Sequence, residues 1–161
     1  MGLTGIAVRA ISIIAGVLLV LLFITIGMRH RLVTPEADRV KNASLMLLKG
    51  TELELIGNAP EAASVLRKAS SELNGMSNPP PELQAMISYK LGEIGIRNGA
   101  DSEEIIFSLV QATRLFGQMR NLTLQRGAQA SLSAYISAIP LEESRIFAKK
   151  YNLTENGIVQ Q

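Results

Sequence analysis

Histidine occurs once in this 161-residue chain, at His30, and cysteine is absent. A zinc hydrolase, a histidine-based triad or a bis-histidine haem site therefore lacks its parts, and disulfides, thiolate metal sites and thiol catalysis are excluded. Carboxylates come next. They form adjacent pairs at Glu103-Glu104 and Glu142-Glu143. Neighbours on a helix point in different directions, so neither pair converges on one proton, and acid at a helix start suits the macrodipole. Asp38 and Asp101 are the only aspartates, and there is no HExxH, so neither a metal nor another cofactor is expected. Phosphate loops of the GxxxxGK[ST] and GxGxxG types are missing. The glycines from Gly92 to Gly99 sit in a helical pattern that ends at a cap. Asn-x-Ser/Thr triplets begin at Asn42, Asn121 and Asn152, and are read as coincidence.

The balance of charge narrows the partners. Lys+Arg 16 against Asp+Glu 14 leaves +2, with 19% charged residues and 4% aromatics, below the roughly 25% charge of an average soluble protein. No run of Lys or Arg exceeds two residues and no aromatics interleave with them, so no nucleic-acid partner is expected.

The elements that position these groups begin with an anchor. After a short tail over 1–9, the nineteen residues 10–28 carry no charge. As a helix they extend roughly 28 Å, close to the ~30 Å of a bilayer's hydrocarbon core. The run has no polar face, and it is longer than the about 7–15 residues of a signal-peptide core. It is read as an uncleaved single-pass transmembrane helix, with Ser12 and Gly16 as a small-xxx-small pair. A juxtamembrane linker, 29–34, follows, and Arg29, His30 and Arg31 are assigned to the membrane interface. The basic flank (Arg29, Arg31, Arg39 and Lys41, against Arg9 alone on the other side) favours a cytoplasmic helical domain by the positive-inside rule. A bacterial inner membrane is the expected location, with the periplasm as the alternative compartment for the domain.

From Thr34 onward apolar residues recur every three or four positions, which predicts an all-α domain over 35–151 and a flexible tail over 152–161. Six helices are expected. The first opens at Pro35-Glu36 and stops at Gly57-Asn58; the second runs from Pro60-Glu61 to a glycine cap at Asn74-Gly75. The third starts at Pro81-Glu82, buries residues from Leu83 to Ile96 and stops at Asn98-Gly99. The fourth is announced by Asp101 and ends at Gly117. The fifth spans about Asn121 to Ala138, and the sixth opens at Pro140, holding Ile146, Phe147 and Tyr151. Short connections make successive helices antiparallel neighbours.

The first two hairpins repeat. Gly50, Leu53, Gly57, Ala62, Leu66, Ala69 and Leu73 align with Gly92, Gly95, Gly99, Ile105, Leu109, Ala112 and Phe116, at a spacing of 42 residues that becomes 43 after Gly99. Each unit has a small residue in mid-helix, a glycine stop seven residues later, then interleaved small and large apolar residues. The pattern resembles the tetratricopeptide (TPR) family, best over Gly50–Ala69 and in the large-small pair Leu91-Gly92. It departs from the family where Met46 and Ser88 replace early aromatics, in its long period, and in a poorly fitting third unit.

That resemblance implies protein binding on a concave face made by the first helix of each pair. Mapped here, the face comprises Leu47, Leu48, Thr51 and Leu55 with Met86, Tyr89, Lys90 and Glu93, although Leu47, Leu48 and Met86 also suit an ordinary core. The positions where some family members clamp a carboxylate hold Leu47, Thr51 and Lys90, which do not support that speciality. The expected function is a non-enzymatic membrane adaptor or scaffold in a secretion, pilus or envelope assembly, and it is a candidate for oligomerisation within that complex. The alternative is an import receptor on an organelle outer membrane. An enzyme using Tyr89, Lys90 or Arg97 is disfavoured, because nucleophile, base and orienting group cannot all be assigned.

Overall fold

The computed structural model of the chain describes residues 35–154 and 157–160. The chain divides into two units, Met1–Asp38 and Arg39–Gln161. The expected span at 10–28 and the interface residues Arg29, His30 and Arg31 lie outside the described residues. Among the described residues no helix is long and apolar enough to cross a membrane.

Six α-helices and no strand occur among the described residues: α1 Pro35–Leu55, α2 Ala59–Asn74, α3 Pro81–Asn98, α4 Ser102–Gln118, α5 Leu122–Ala138 and α6 Leu141–Tyr151. Several have a local reason to start. Proline lies in the first turn of α2 and α3, where its missing N–H costs nothing. Asp101 caps α4, its Oδ2 accepting from the backbone N–H groups of Glu103 and Glu104 at 3.0 and 3.3 Å. Asn121 caps α5 by accepting from Leu124 N–H at 3.3 Å.

Four helices stop the same way. The amides of Asn58, Ala100, Asn121 and Leu153 reach back five residues to the carbonyls of Leu53, Gly95, Phe116 and Ala148, and the residue before each amide is left-handed. These are Gly57 (φ 82°), Gly99 (φ 62°), Arg120 (φ 56°) and Asn152 (φ 56°), a Schellman closure that satisfies orphan carbonyls. The expected glycine stops at 57 and 99 are present. The fourth helix runs one residue past Gly117, and its left-handed residue is Arg120. Gly75, expected as a left-handed cap, has φ −83°. Its use is spatial: a Cβ there would lie 2.6 Å from Nη1 of Arg39, which donates to the Gly75 carbonyl.

From α2 onward each helix packs on its successor, and α3–α5 and α4–α6 also touch. Helix α1 is held to α2 by Ala43, Met46, Leu47 and Leu53, packed among Ala62, Leu66, Ala69 and Leu73, with Ile87 and Ile94 of α3 behind them. The middle hairpin closes on Phe116, surrounded by Ala85, Ala112 and Ala128. The largest cluster joins Ile105, Ile106, Leu109 and Val110 of α4 to Leu132 and Ile136 of α5, Phe147 of α6 and Leu153. Ile96 and Ile146, expected in the core, are 36% and 65% exposed; glycines 92 and 95 take the inner face of α3 instead.

The expected flexible tail is corrected for its described residues. Leu153 is buried and pairs with Val159 as an isolated antiparallel bridge. Gln129 on α5 clamps the returning segment with both ends of its amide, Nε2 donating to the Gly157 carbonyl at 2.7 Å and Oε1 accepting from Val159 N–H at 3.0 Å.

Candidate functional site

The residues expected to line one face come from α1 and α3, and the side chains that join those helices decide what the face can do. Glu54 is the centre. Its carboxylate accepts from Lys90 Nζ at 2.8 Å and from Arg97 Nη2, and its side chain is 12% exposed. Burial pushes the Glu54 carboxyl up, but the hydrogen bonds and charges of Lys90 and Arg97 overcome that and hold it below its ordinary value. A carboxyl depressed in the folded state contributes stability in full above the unfolded value of about 4.3 and loses it as pH falls through the lower folded value. Glu54→Gln is therefore expected to lower stability at neutral pH by about 1 kcal/mol and to flatten the decline of stability below pH ~4. Urea unfolding from pH 7 to pH 3 checks this, and an unchanged acid limb in the variant would contradict it.

Most of the expected binding residues are engaged inside this unit. Leu47 packs into both clusters that join α1 to α2 and α3. Thr51 donates its Oγ1–H to the Leu47 carbonyl at 2.9 Å. Met86 packs against the Phe116 cluster. Tyr89 stands edge-on to Phe116, ring centroids 6.2 Å apart, and touches the large α4–α5 cluster too. Lys90 serves Glu54, and Glu93 accepts from Ser131 Oγ of α5. Lys90 and Glu93 thus tie α3 to α1 on one side and to α5 on the other. Only Leu48 and Leu55 stand open, 68% and 82% exposed.

Leu45 of α1, at 54%, and Ile56, in the turn just after it, at 72%, lie close to them in the chain; neither was among the expected binding residues. Four of the ten large apolar residues left exposed among the described residues thus belong to this helix and its last turn. Part of the signal is in the sequence, since helical spacing puts Leu45 and Leu48 on one face with Lys41 and Glu52; that this face carries no residue packed on α2 is visible only in the fold. Glu54 and Ser131 had no such signal, being 36 and 38 residues from their partners.

Sites of other kinds do not assemble. The adjacent carboxylates diverge: Glu104 pairs with Arg67 of α2, Glu103 with Lys150 of α6 and Glu142 with Arg145. Among the described residues no three His, Asp or Glu side chains come together to hold a metal. Two of the glycosylation-type asparagines are helix ends, Asn121 as the cap of α5 and Asn152 as the left-handed close of α6. A hollow of about 480 Å³, open to solvent, lies between α4, α5 and the tail, lined by Thr113, Arg114, Gln118, Gln125 and Gln160 among others. Its one charged group, Arg114, donates to the Tyr151 carbonyl at 2.7 Å. Arg97 and Lys90 serve Glu54, and Tyr89 stands edge-on to Phe116. Comparison with protein-family models, with curated proteins and with solved structures gives no match to this chain.

Proposed function

We propose that the chain is a non-enzymatic, single-pass membrane adaptor, in which a TPR-like set of helical hairpins presents an apolar surface to a protein partner. The observation that carries this reading is the open leucine surface of α1, with Leu48 and Leu55 at 68% and 82% exposure, beside polar candidates on α3 that are already satisfied within the unit. Contiguous exposed apolar side chains are characteristic of docking surfaces. The repeat supports the family likeness. A Cβ on Gly50 would lie 2.8 Å from Cγ of Leu66, and one on Gly92 would lie 2.6 Å from Cγ of Leu109, so the same close approach recurs in both hairpins. The uncharged run at 10–28, followed after 29–34 by α1, supports the anchor, and its basic flank supports a cytoplasmic domain at a bacterial inner membrane.

Photo-crosslinking of the full chain in its native membrane tests the reading. A photoreactive amino acid at Leu48 or Leu55 is expected to yield a polypeptide adduct that the same probe at Glu61, exposed on α2, does not. Lipid adducts alone at all three positions, or release of the chain by alkaline carbonate, would overturn it.

A further inference from the structure

The open side of α1 also indicates which polypeptide it fits; this step rests on the reading above for the claim that the surface takes a protein. Lys41, Leu45, Leu48, Glu52 and Leu55 follow one another at steps of four, three, four and three, the spacing of a coiled-coil seam. Lys41 and Glu52 are exposed and form no ion pair among the described residues. From Lys41 to Glu52 the seam has a two-fold character of its own, whereas Leu55 lies beyond that symmetric stretch, opposite Asp38 of a second copy in the same register. The midpoint between Leu45 and Leu48 is also the midpoint between Lys41 and Glu52.

We infer that the partner is a second copy of this chain, packed antiparallel through α1 about a two-fold axis at that midpoint. Leu45 then meets the second copy's Leu48, and Lys41 meets the second copy's Glu52, each contact occurring twice, as an isologous interface requires. A parallel pair would set lysine on lysine and glutamate on glutamate, so charge selects the antiparallel arrangement. A bilayer surface is a poorer occupant, because Glu52 lies between Leu48 and Leu55 and would be pressed against headgroups. The repeat agrees. Lys90 and Arg97, which join α3 to α1 through Glu54, stand 42 residues after Leu48 and Leu55. Where α3 meets its neighbour through Lys90, α1 offers Leu48, which calls for an apolar partner.

The chain has no cysteine, so introduced thiols report only on this interface. In full-length protein in detergent, Leu45→Cys mixed with Leu48→Cys is expected to form a disulfide between the two variants faster than either forms with itself. Leu55→Cys is expected not to join itself, since in this register the two positions are roughly 25 Å apart along the helices, whereas a disulfide needs Cα atoms within about 7 Å. Lys41→Glu or Glu52→Lys alone should lower the yield of mixed disulfide about tenfold, and both changes in one chain should restore it to within about twofold. Far-ultraviolet circular dichroism of these surface variants should match the parent chain, so that a lost disulfide reports on association and not on folding. Self-joining at Leu55→Cys, no mixed disulfide, or no rescue by the double reversal would each overturn the inference. A photo-adduct at Leu48 to a different polypeptide, with these tests negative, overturns the second copy and leaves the adaptor reading intact; lipid adducts alone overturn both.

Discussion

Phe116→Ala is expected to lower folding stability by about 3–5 kcal/mol, a large fraction of the roughly 5–15 kcal/mol that holds a domain of ordinary size. Phe116 is 1% exposed and its neighbours in the cluster are Ala85, Ala112 and Ala128. The buried alanines cannot swing into a vacated space, while Met86, Leu115, Met119 and Leu124, packed against the same cluster, can close part of it; the cost of a core truncation rises with the volume left empty, which places this one toward the lower end of that range. The edge-on contact with Tyr89 is lost too, worth about 0.5–1.5 kcal/mol beyond buried area. Phe116→Leu, which refills much of the space, should recover more than half of the loss. Urea unfolding followed by circular dichroism measures both, and a loss below about 1.5 kcal/mol in Phe116→Ala would show that this hairpin closes without its ring.

The second large effect tests the close approach of α3 to α4. Gly92→Val is expected to destabilise by about 3 kcal/mol, at the upper end of what overpacking costs. A Cβ at this position would lie 2.6 Å from both Cγ and Cδ2 of Leu109, and Leu109 is fully buried in the α4–α5 cluster with nowhere to retreat. The better helix propensity of a non-glycine residue returns only a few tenths of a kcal/mol. Combining Gly92→Val with Leu109→Ala conserves side-chain volume across the contact, so the double variant should be more stable than the sum of the two single losses predicts, by about 1–3 kcal/mol. Strict additivity in urea unfolding would mean that the two residues do not meet. Gly50 and Leu66 form the corresponding contact one repeat earlier, and the same pair of substitutions there should behave alike.

What the chain reveals before folding divides sharply by range. The existence, order and approximate limits of the six helices were legible because they rest on short-range features: proline and acid in first turns, apolar residues at steps of three and four, and glycine at two of the four left-handed stops. The stop at Arg120 was not, because arginine carries no compositional mark of a left-handed stop, whereas Asn152 does carry one, asparagine being the usual substitute for glycine there. Gly75 bears a cap's composition without a cap's conformation. Its glycine serves the Arg39 side chain, 36 residues away.

The candidate face was legible only in part. Helical periodicity assigned Leu47, Leu48, Thr51 and Leu55 to α1, but it could not say that Leu47 turns into two clusters while Leu48 is left open. Likewise Lys90 and Glu93 have the composition of free polar groups for a partner, and only the fold brings Glu54 and Ser131 to take them.

Local periodicity and caps therefore determine, by themselves, a succession of helices over 35–151, whereas the close approach of Gly50 to Leu66 and of Gly92 to Leu109 emerges only on folding. Only the tertiary structure decides which side of each helix stays open, which charges are spent on neighbouring helices, and that the last segment folds back under Gln129. Those outcomes depend on groups about 28 to 47 residues apart. Such separations are set by how hairpins pack on one another, and no pattern within a single helix records them.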